Sequence, residues 1–255
     1  MKLRAHTLRH RLIVALDVDT LAEAESLVST LESEVSFFKV GKQLFMHAGP
    51  EVVRMIHRHR AEVFLDLKFH DIPTTVAKAG VAAARLGVRF FDVHALGSLE
   101  MMERARSEVA RVCRREGLRV PKILAVTVLT SLGKVDLRRV GVEHPVGDQV
   151  VRLARLARRA GINGVVASGR EIGPIRRACG KGFLIVTPGI RPPAVGSDDQ
   201  KRVLSPAEAM QAGADYLVIG RPVRDAHDPI AMVQEIIADM ARGFLAGRTL
   251  PAVRA

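Results

Sequence analysis

Aromatic residues are scarce in this chain of 255 residues: no tryptophan, one tyrosine and nine phenylalanines. None interleaves the densest basic runs, "RVCRREGLR" and "RLARLARRAG", so the stacking platform that single-stranded nucleic acid requires is missing. There are two cysteines, Cys113 and Cys179, with no CxxC and no histidine pair at ligand spacing. That excludes a disulfide scaffold and speaks against a zinc site; both are read as reduced, partly buried thiols. No apolar run approaches the roughly 18 residues of a membrane helix. The basic start, "MKLRAHTLRHRLIVALDVD", has its apolar stretch broken by Asp17 and Asp19 and lacks a signal-peptide core. No membrane partner is therefore expected, and the expected location is the cytoplasm. Linkers, low-complexity segments and shifts of composition are also missing, so one domain over 1–255 is expected, with a core of about 11–240 and short extensions.

Acidic residues are outnumbered, 27 against 39 lysines and arginines, for a net charge of +12. In "RLARLARRAG", Arg152, Arg155 and Arg159 recur at helical spacing, with Leu153 and Leu156 on another face. This is the pattern of an amphipathic helix with a solvated basic side. No nucleic-acid partner is expected, although a nucleic-acid-binding barrel without activity is the rival reading that this charge raises.

What the sequence has in abundance is short apolar runs. At 48% hydrophobic residues it can fill a large core. Strand-like runs lie at 11–18, 36–41, 62–69, 89–96, 122–130, 163–169, 182–190 and 215–223, with a helical pattern in every gap and after the last. Near-continuous apolar strands mark a parallel sheet buried on both faces, and eight βα units in about 250 residues fit a (β/α)8 TIM barrel. A doubly wound open sheet is the alternative.

In such a barrel the chemistry sits at the C-terminal strand ends. Those ends read Asp17, Lys39, Asp66 with Lys68, His94, Thr130 with Ser131, Ser168, Gly189 with Arg191, and Gly220 with Arg221. Asp66 and Lys68 are two apart on one strand and point to the same side. Asp71 follows, just before Ile72-Pro73, where a proline suits the first turn of a helix. Lys39 ends the neighbouring strand. Two cations and two or three carboxylates thus share one region, a coupled set suited to keeping an ammonium charged and aimed for proton donation. A structural ion-pair ring is the plain alternative. Against it stands a second feature: "TPGIRP" and "VIGRPV" each put Gly and Arg at the ends of strands seven and eight, where barrels frequently bind phosphate. His94 is read as a hydrogen-bonded supporting residue and His70 as a brace for its loop.

Taken together, "ALDVD", "FKVGKQLF", "FLDLKFHDIPTT", "AVTVLTS", "VTPGIRP" and "DDQKRVLSPAEAMQAGADYLVIGRPV" resemble the orotidine 5′-phosphate decarboxylase family, in its order, over about residues 11–240. The resemblance implies a barrel homodimer that converts orotidine 5′-monophosphate to uridine 5′-monophosphate and CO2 with no metal and no organic cofactor. It implies that Lys68 protonates C6 of the pyrimidine and that Asp66 faces the substrate carboxylate. Asp71 would complete the charged network in the partner's site. Lys39 and Asp17 would bind the ribose, Thr130 and Ser131 would lie by the pyrimidine, and Thr75 falls in a substrate-contacting segment. Arg191, Gln200, Gly220 and Arg221 would bind phosphate, with Gln200 reaching from the lid-like loop "PPAVGSDDQKR". The segments "MKLRAHTLRH" and "LAGRTLPAVRA" have no counterpart in the resemblance. A magnesium-dependent sugar-phosphate decarboxylase or aldolase of the same superfamily, which carries a glutamate near the end of strand two, is the alternative; here that strand ends "FFKVGK".

Overall fold

Apolar runs cut by glycine, proline or charge fold here into eight short parallel strands. The computed structural model describes residues 8–192 and 204–249. The strands are β1 (Leu12–Ala15), β2 (Phe37–Gly41), β3 (Glu62–Phe69), β4 (Phe90–His94), β5 (Lys122–Val126), β6 (Gly164–Val166), β7 (Leu184–Pro188) and β8 (Tyr216–Ile219). They pair in chain order and close, with Leu12 opposite Leu217 and Val14 opposite Ile219. The closure excludes the open doubly wound sheet and establishes the (β/α)8 barrel.

The helices are α1 (Leu21–Leu31), α2 (Lys42–Ala48), α3 (Glu51–Arg58), α4 (Pro73–Arg85), α5 (Leu99–Glu116), α6 (Lys134–Arg139), α7 (Val146–Arg159), α8 (Ile172–Cys179), α9 (Pro206–Ala212), α10 (Arg221–Arg224) and α11 (Pro229–Thr249). Their starts follow from the local sequence. Thr20 and Ser205 each accept the backbone N–H three residues on, and Glu23 and Glu208 reach back to complete capping boxes. Pro73 opens α4 as expected. On α7 the arginines 152, 155 and 159 are exposed while Leu153 is buried, so the basic side is indeed outward. Cys113 and Cys179 are buried free thiols. No described helix is long and apolar enough to cross a membrane.

Strand alternation sorts the core into two parts. Outward residues pack under the helices in one large cluster. Inward residues Ile13, Ala15, Phe37, Phe64, Phe90, Leu124, Val186 and Val218 fill the barrel. Phe90 meets Phe37 and Tyr216 edge-on, with ring centroids 5.0 and 5.1 Å apart. This plugged floor leaves the C-terminal mouth as the open end. At β6, Gly164 allows the next strand in: a Cβ there would lie 2.3 Å from the Leu184 carbonyl oxygen.

Several strands are shorter than their apolar runs. The first stops at Ala15, the fifth at Val126, the sixth at Val166 and the eighth at Ile219. Past Val126 the chain stays buried as far as Val128, with the Thr127 N–H donating to the Val166 carbonyl at 3.3 Å but with no further pairing to β4. After Gly220 the chain turns into α10, with Pro222 in its first turn. After β7, Gly189 takes φ +77°, a left-handed conformation that glycine adopts at no steric cost. Thr130, Ser131, Arg191 and Arg221 consequently sit on loops or a helix start above the barrel, not on strands.

Candidate active site

The mouth is built by continuing the same alternation one step above the apolar floor. Phe37 is followed inward by Lys39, Phe64 by Asp66, and Phe90 by Asp92. In the ladders Lys39 pairs with Phe64, and Gly41 with Asp66. Lys39 Nζ lies 3.0 Å from Asp17 Oδ1 and 3.2 Å from Asp66 Oδ2, while Lys68 Nζ donates to Asp66 Oδ1. Lys39 is buried, with 8% of its surface exposed, and Asp17 is the solvent-facing end of the chain of charges.

Lys68 reaches this position by a different route from simple alternation. It has φ +51°, uncommon for a residue with a side chain. Between Leu65 and Phe69 the β3–β4 register shifts: Leu65 faces Phe91 and Phe69 faces Val93. Four steps along β3 therefore match two along β4, a bulge of the kind that re-aims a side chain. Inside the bulge the Lys68 N–H donates to Asp92 Oδ1 at 2.7 Å.

Asp92 joins Asp17 and Asp66 as a third carboxylate within the chain, one that the strand-end pattern did not single out. It is wholly buried. Burial, and then the adjacent Asp66 charge, push its carboxyl well above the ordinary range. For Asp66 burial acts upward too, but Lys39, a hydrogen bond from Asp92 and Lys68 outweigh it and bring it down to about 2. If both were ionised, Asp92 Oδ2 would be buried with no hydrogen-bond partner among the described residues. A proton on that oxygen removes the conflict, because it can then donate to Asp66. The two carboxyls are close enough to titrate as a coupled pair, with the upward pull on Asp92. At Lys39, burial works against the ammonium, but Asp66 and Asp17 together prevail and raise its pKa.

Asp71 lies elsewhere. It is exposed, its Oδ1 accepts from the Ile72 N–H at 2.6 Å, and it makes no ion pair with Lys68 among the described residues. Thr75, one turn into α4, is exposed too and shares with Asp71, His70 and Lys68 a cleft of about 220 Å³ on the flank of β3. Asp71 thus shares a cleft with Lys68 but stands outside the ion-pair network of the described residues. His94 is half-buried. Its Nδ1 finds no partner among the described residues; instead the ring lies against His70, with centroids 5.3 Å apart. Burial, then the positive groups His70, Lys68 and Lys42, lower its pKa to about 4.

Two cavity lobes of about 230 Å³ each meet at Lys39, Asp66 and Lys68. One has apolar walls, including Val126, Val128, Pro188 and Val218, with Thr130 at its edge. The other is polar, lined by Asp17, Lys42 and Gln43. Ser131 is exposed and lines neither. At Gly41 a side chain would be crowded: a Cβ there would lie 3.3 Å from Lys39 Nζ and 3.5 Å from Asp17 Oδ1. Arg191 is buried beyond β7, and Gly220 caps α10, which Arg221 begins. These groups rise from the paired strands β7 and β8. Gln200 and most of its loop lie outside the described residues. Among the described residues no three His, Cys, Asp or Glu side chains converge as a metal site would need. A wider groove of about 870 Å³ on the outer surface, between α5 and α7, is lined by arginines and glutamates of mixed sign and lies away from this network.

Residues 10–236 match the profile of the orotidine 5′-phosphate decarboxylase / HUMPS family. The chain is 56% identical over 236 residues to the orotidine 5′-phosphate decarboxylase of Pelobacter propionicus, covering 92% of this chain and 97% of that one. It is 55% identical over 235 residues to the protein of the same name from Geobacter sulfurreducens, covering 92% and 98%. The crystal structure of orotidine 5′-phosphate decarboxylase from Lactobacillus acidophilus superposes with a TM-score of 0.80 at 37% identity, covering 91% of this chain and 99% of that one.

Proposed function

The chain belongs to the orotidine 5′-phosphate decarboxylase / HUMPS family and is a carboxy-lyase; on that premise we propose that it converts orotidine 5′-monophosphate to uridine 5′-monophosphate and CO2, the last step of de novo pyrimidine synthesis, with Lys68 as proton donor. The observation that carries the reading is the Lys68 ammonium, turned by a left-handed bulge to the junction of an apolar and a polar lobe and tied to Asp66. The apolar lobe suits the flat pyrimidine, with Thr130 at its edge; Ser131, next to it in the chain but outside both lobes, would reach the ring only when substrate draws its loop inward. The polar lobe suits the ribose, whose hydroxyls Asp17 and Lys39 can bind.

The chemistry explains why an ammonium is needed. Breaking the C6–carboxylate bond leaves an electron pair at C6 in the plane of the ring, where no carbonyl delocalises it. A fixed positive charge at that point stabilises the developing carbanion. Lys68 then gives C6 its proton and is reprotonated from water. Asp66, ionised across the working range, holds Lys68 and faces the leaving carboxylate. Phosphate binding by Arg191, Gly220, Arg221 and Gln200, with Thr75 as a further substrate contact, supplies energy remote from C6 to order the site.

The same reading makes the enzyme a cytoplasmic homodimer built from one barrel domain per chain, needing no metal or organic cofactor. Asp71 serves the partner's site, and its exposure just before α4 supports this. Exposed apolar residues follow three successive strands, Met46 after β2, Ile72 after β3 and Leu96 after β4. That is the sector from which Asp71 projects, and a second copy of the chain would cover it. A magnesium-dependent relative is disfavoured by Lys39, whose ammonium stands between Asp17 and Asp66, where a divalent cation would have to sit.

The test is turnover of orotidine 5′-monophosphate by protein stripped with chelator, followed as loss of the orotate absorbance. No turnover, or a strict requirement for Mg²⁺, overturns the proposal.

A further inference from the structure

A bulge that places a lysine at positive φ has to be held from outside, because it has forfeited its ladder bonds. Here the holding group is Asp92. Its Oδ1 accepts the Lys68 N–H at 2.7 Å, at the point where β3 has slipped against β4. The carboxyl is reached by no solvent and lines neither lobe of the cavity. Its Oδ2 is equally buried and, as an acceptor, unpartnered among the described residues. The charged groups acting on it are Asp66 and Lys68, both on β3. Across β5 it pairs with Leu124.

We propose that Asp92 is a positioning residue for Lys68: Oδ1 caps the β3 bulge, Oδ2 carries a proton donated to Asp66, and the two contacts together fix where the ammonium points. This rests on Lys68 being the proton donor. The device works from behind the site. The capped N–H keeps the Lys68 backbone in its left-handed turn. The proton on Oδ2 spares Asp66 a second negative neighbour, so that both Asp66 oxygens stay committed to Lys39 and Lys68. An asparagine could do both jobs, since its amide oxygen can accept from Lys68 and its amide nitrogen can donate to Asp66.

The experiment compares Asp92→Ala and Asp92→Asn with wild type and with Lys68→Ala. Wild-type turnover and an inactive Lys68→Ala test the underlying reading by themselves; only when both hold do the Asp92 variants speak to this proposal. Asp92→Ala should lose about 10²-fold in kcat, as displacement of a reacting group by an ångström does, while KM and the affinity for uridine 5′-monophosphate move little. Asp92→Asn should recover at least about tenfold of that loss in kcat. The infrared spectrum of the wild type should contain the carbonyl stretch of a buried protonated carboxyl, and Asp92→Asn should lack it. An Asp92→Ala kcat within about threefold of wild type overturns the proposal, and so does an Asp92→Asn enzyme as impaired as Asp92→Ala. If Asp92→Ala does not fold, the infrared band and Asp92→Asn decide: absence of the band, or an Asp92→Asn enzyme about 10²-fold impaired, overturns it.

Discussion

Lys39 and Lys68 divide one carboxylate between them: Asp66 gives Oδ2 to the first at 3.2 Å and Oδ1 to the second. The sharing fixes a division of labour. Lys39 is buried and also engaged by Asp17, so it anchors Asp66. Lys68 is the more exposed of the two and borders both lobes of the cavity, so it is the ammonium that can reach a substrate.

Replacing Lys68 with alanine should therefore abolish nearly all activity, by at least about 10⁴-fold in kcat, since it removes both the stabilising charge and the donated proton. The fold should survive, because Lys68 contributes its backbone N–H to Asp92 and not its side chain to the core. Kinetics and thermal melting followed by circular dichroism check both halves. Activity within about tenfold of wild type would rule Lys68 out as donor.

Gly41 gives a subtler prediction. Its φ of −87° is ordinary, so alanine brings no backbone strain. The added methyl would instead crowd the Lys39–Asp17 contact from 3.3 and 3.5 Å. Gly41→Ala should melt near the wild-type temperature yet raise KM by about 3- to 10-fold through the polar lobe. A normal KM would mean that the lysine tip shifts freely and that the contact does not set ribose binding.

His94 predicts an acid-side loss of stability. Its pKa falls from an ordinary 6.5 to about 4 in the fold, so between those values the unfolded chain binds the extra proton. Stability therefore rises with pH from about 4 to 6.5 and falls on acidification through the same window. The loss should be on the order of 1 kcal/mol once solvent screening is allowed for. Urea unfolding at several pH values should give this slope, and His94→Asn should flatten it. An unchanged slope in the variant would assign the effect to other groups.

The barrel was legible because eight apolar runs alternate with helical patterns, and the strand-end rule then pointed to Lys39, Asp66 and Lys68. The runs overshot the true strands, as at Val126, because hydrophobicity reports burial, which continues to Val128 past the last strand residue. Lys68 was found for an incomplete reason. Alternation put it beside Asp66, whereas a left-handed bulge does so, and lysine carries no turn signal that would reveal one. Asp92 was missed although the spacing Phe90, Asp92, His94 already placed an acid on the inward face. Its role depends on a slip in the neighbouring strand, which no local pattern encodes. Sequence adjacency groups Asp71 with Lys68, while the resemblance assigns it to the partner's site; within one chain Asp71 stands outside the ion pairs of Asp66 and Lys68 among the described residues.

That divergence makes the last prediction. If Asp71 of one chain serves the site of another, a dimer of Asp71→Ala and Lys68→Ala chains holds one site with both defects and one with neither. Each homodimer should be nearly inactive, while mixed dimers should regain activity, up to about half of the wild-type value per dimer if the two sites act independently. Thr75 stands on the same exposed turn, so Thr75→Ala should complement Lys68→Ala in the same way wherever it impairs turnover. The measurement is activity against mixing ratio, with heterodimers verified by tagged pull-down or native mass spectrometry. Verified heterodimers with no recovered activity would confine Asp71 to its own chain.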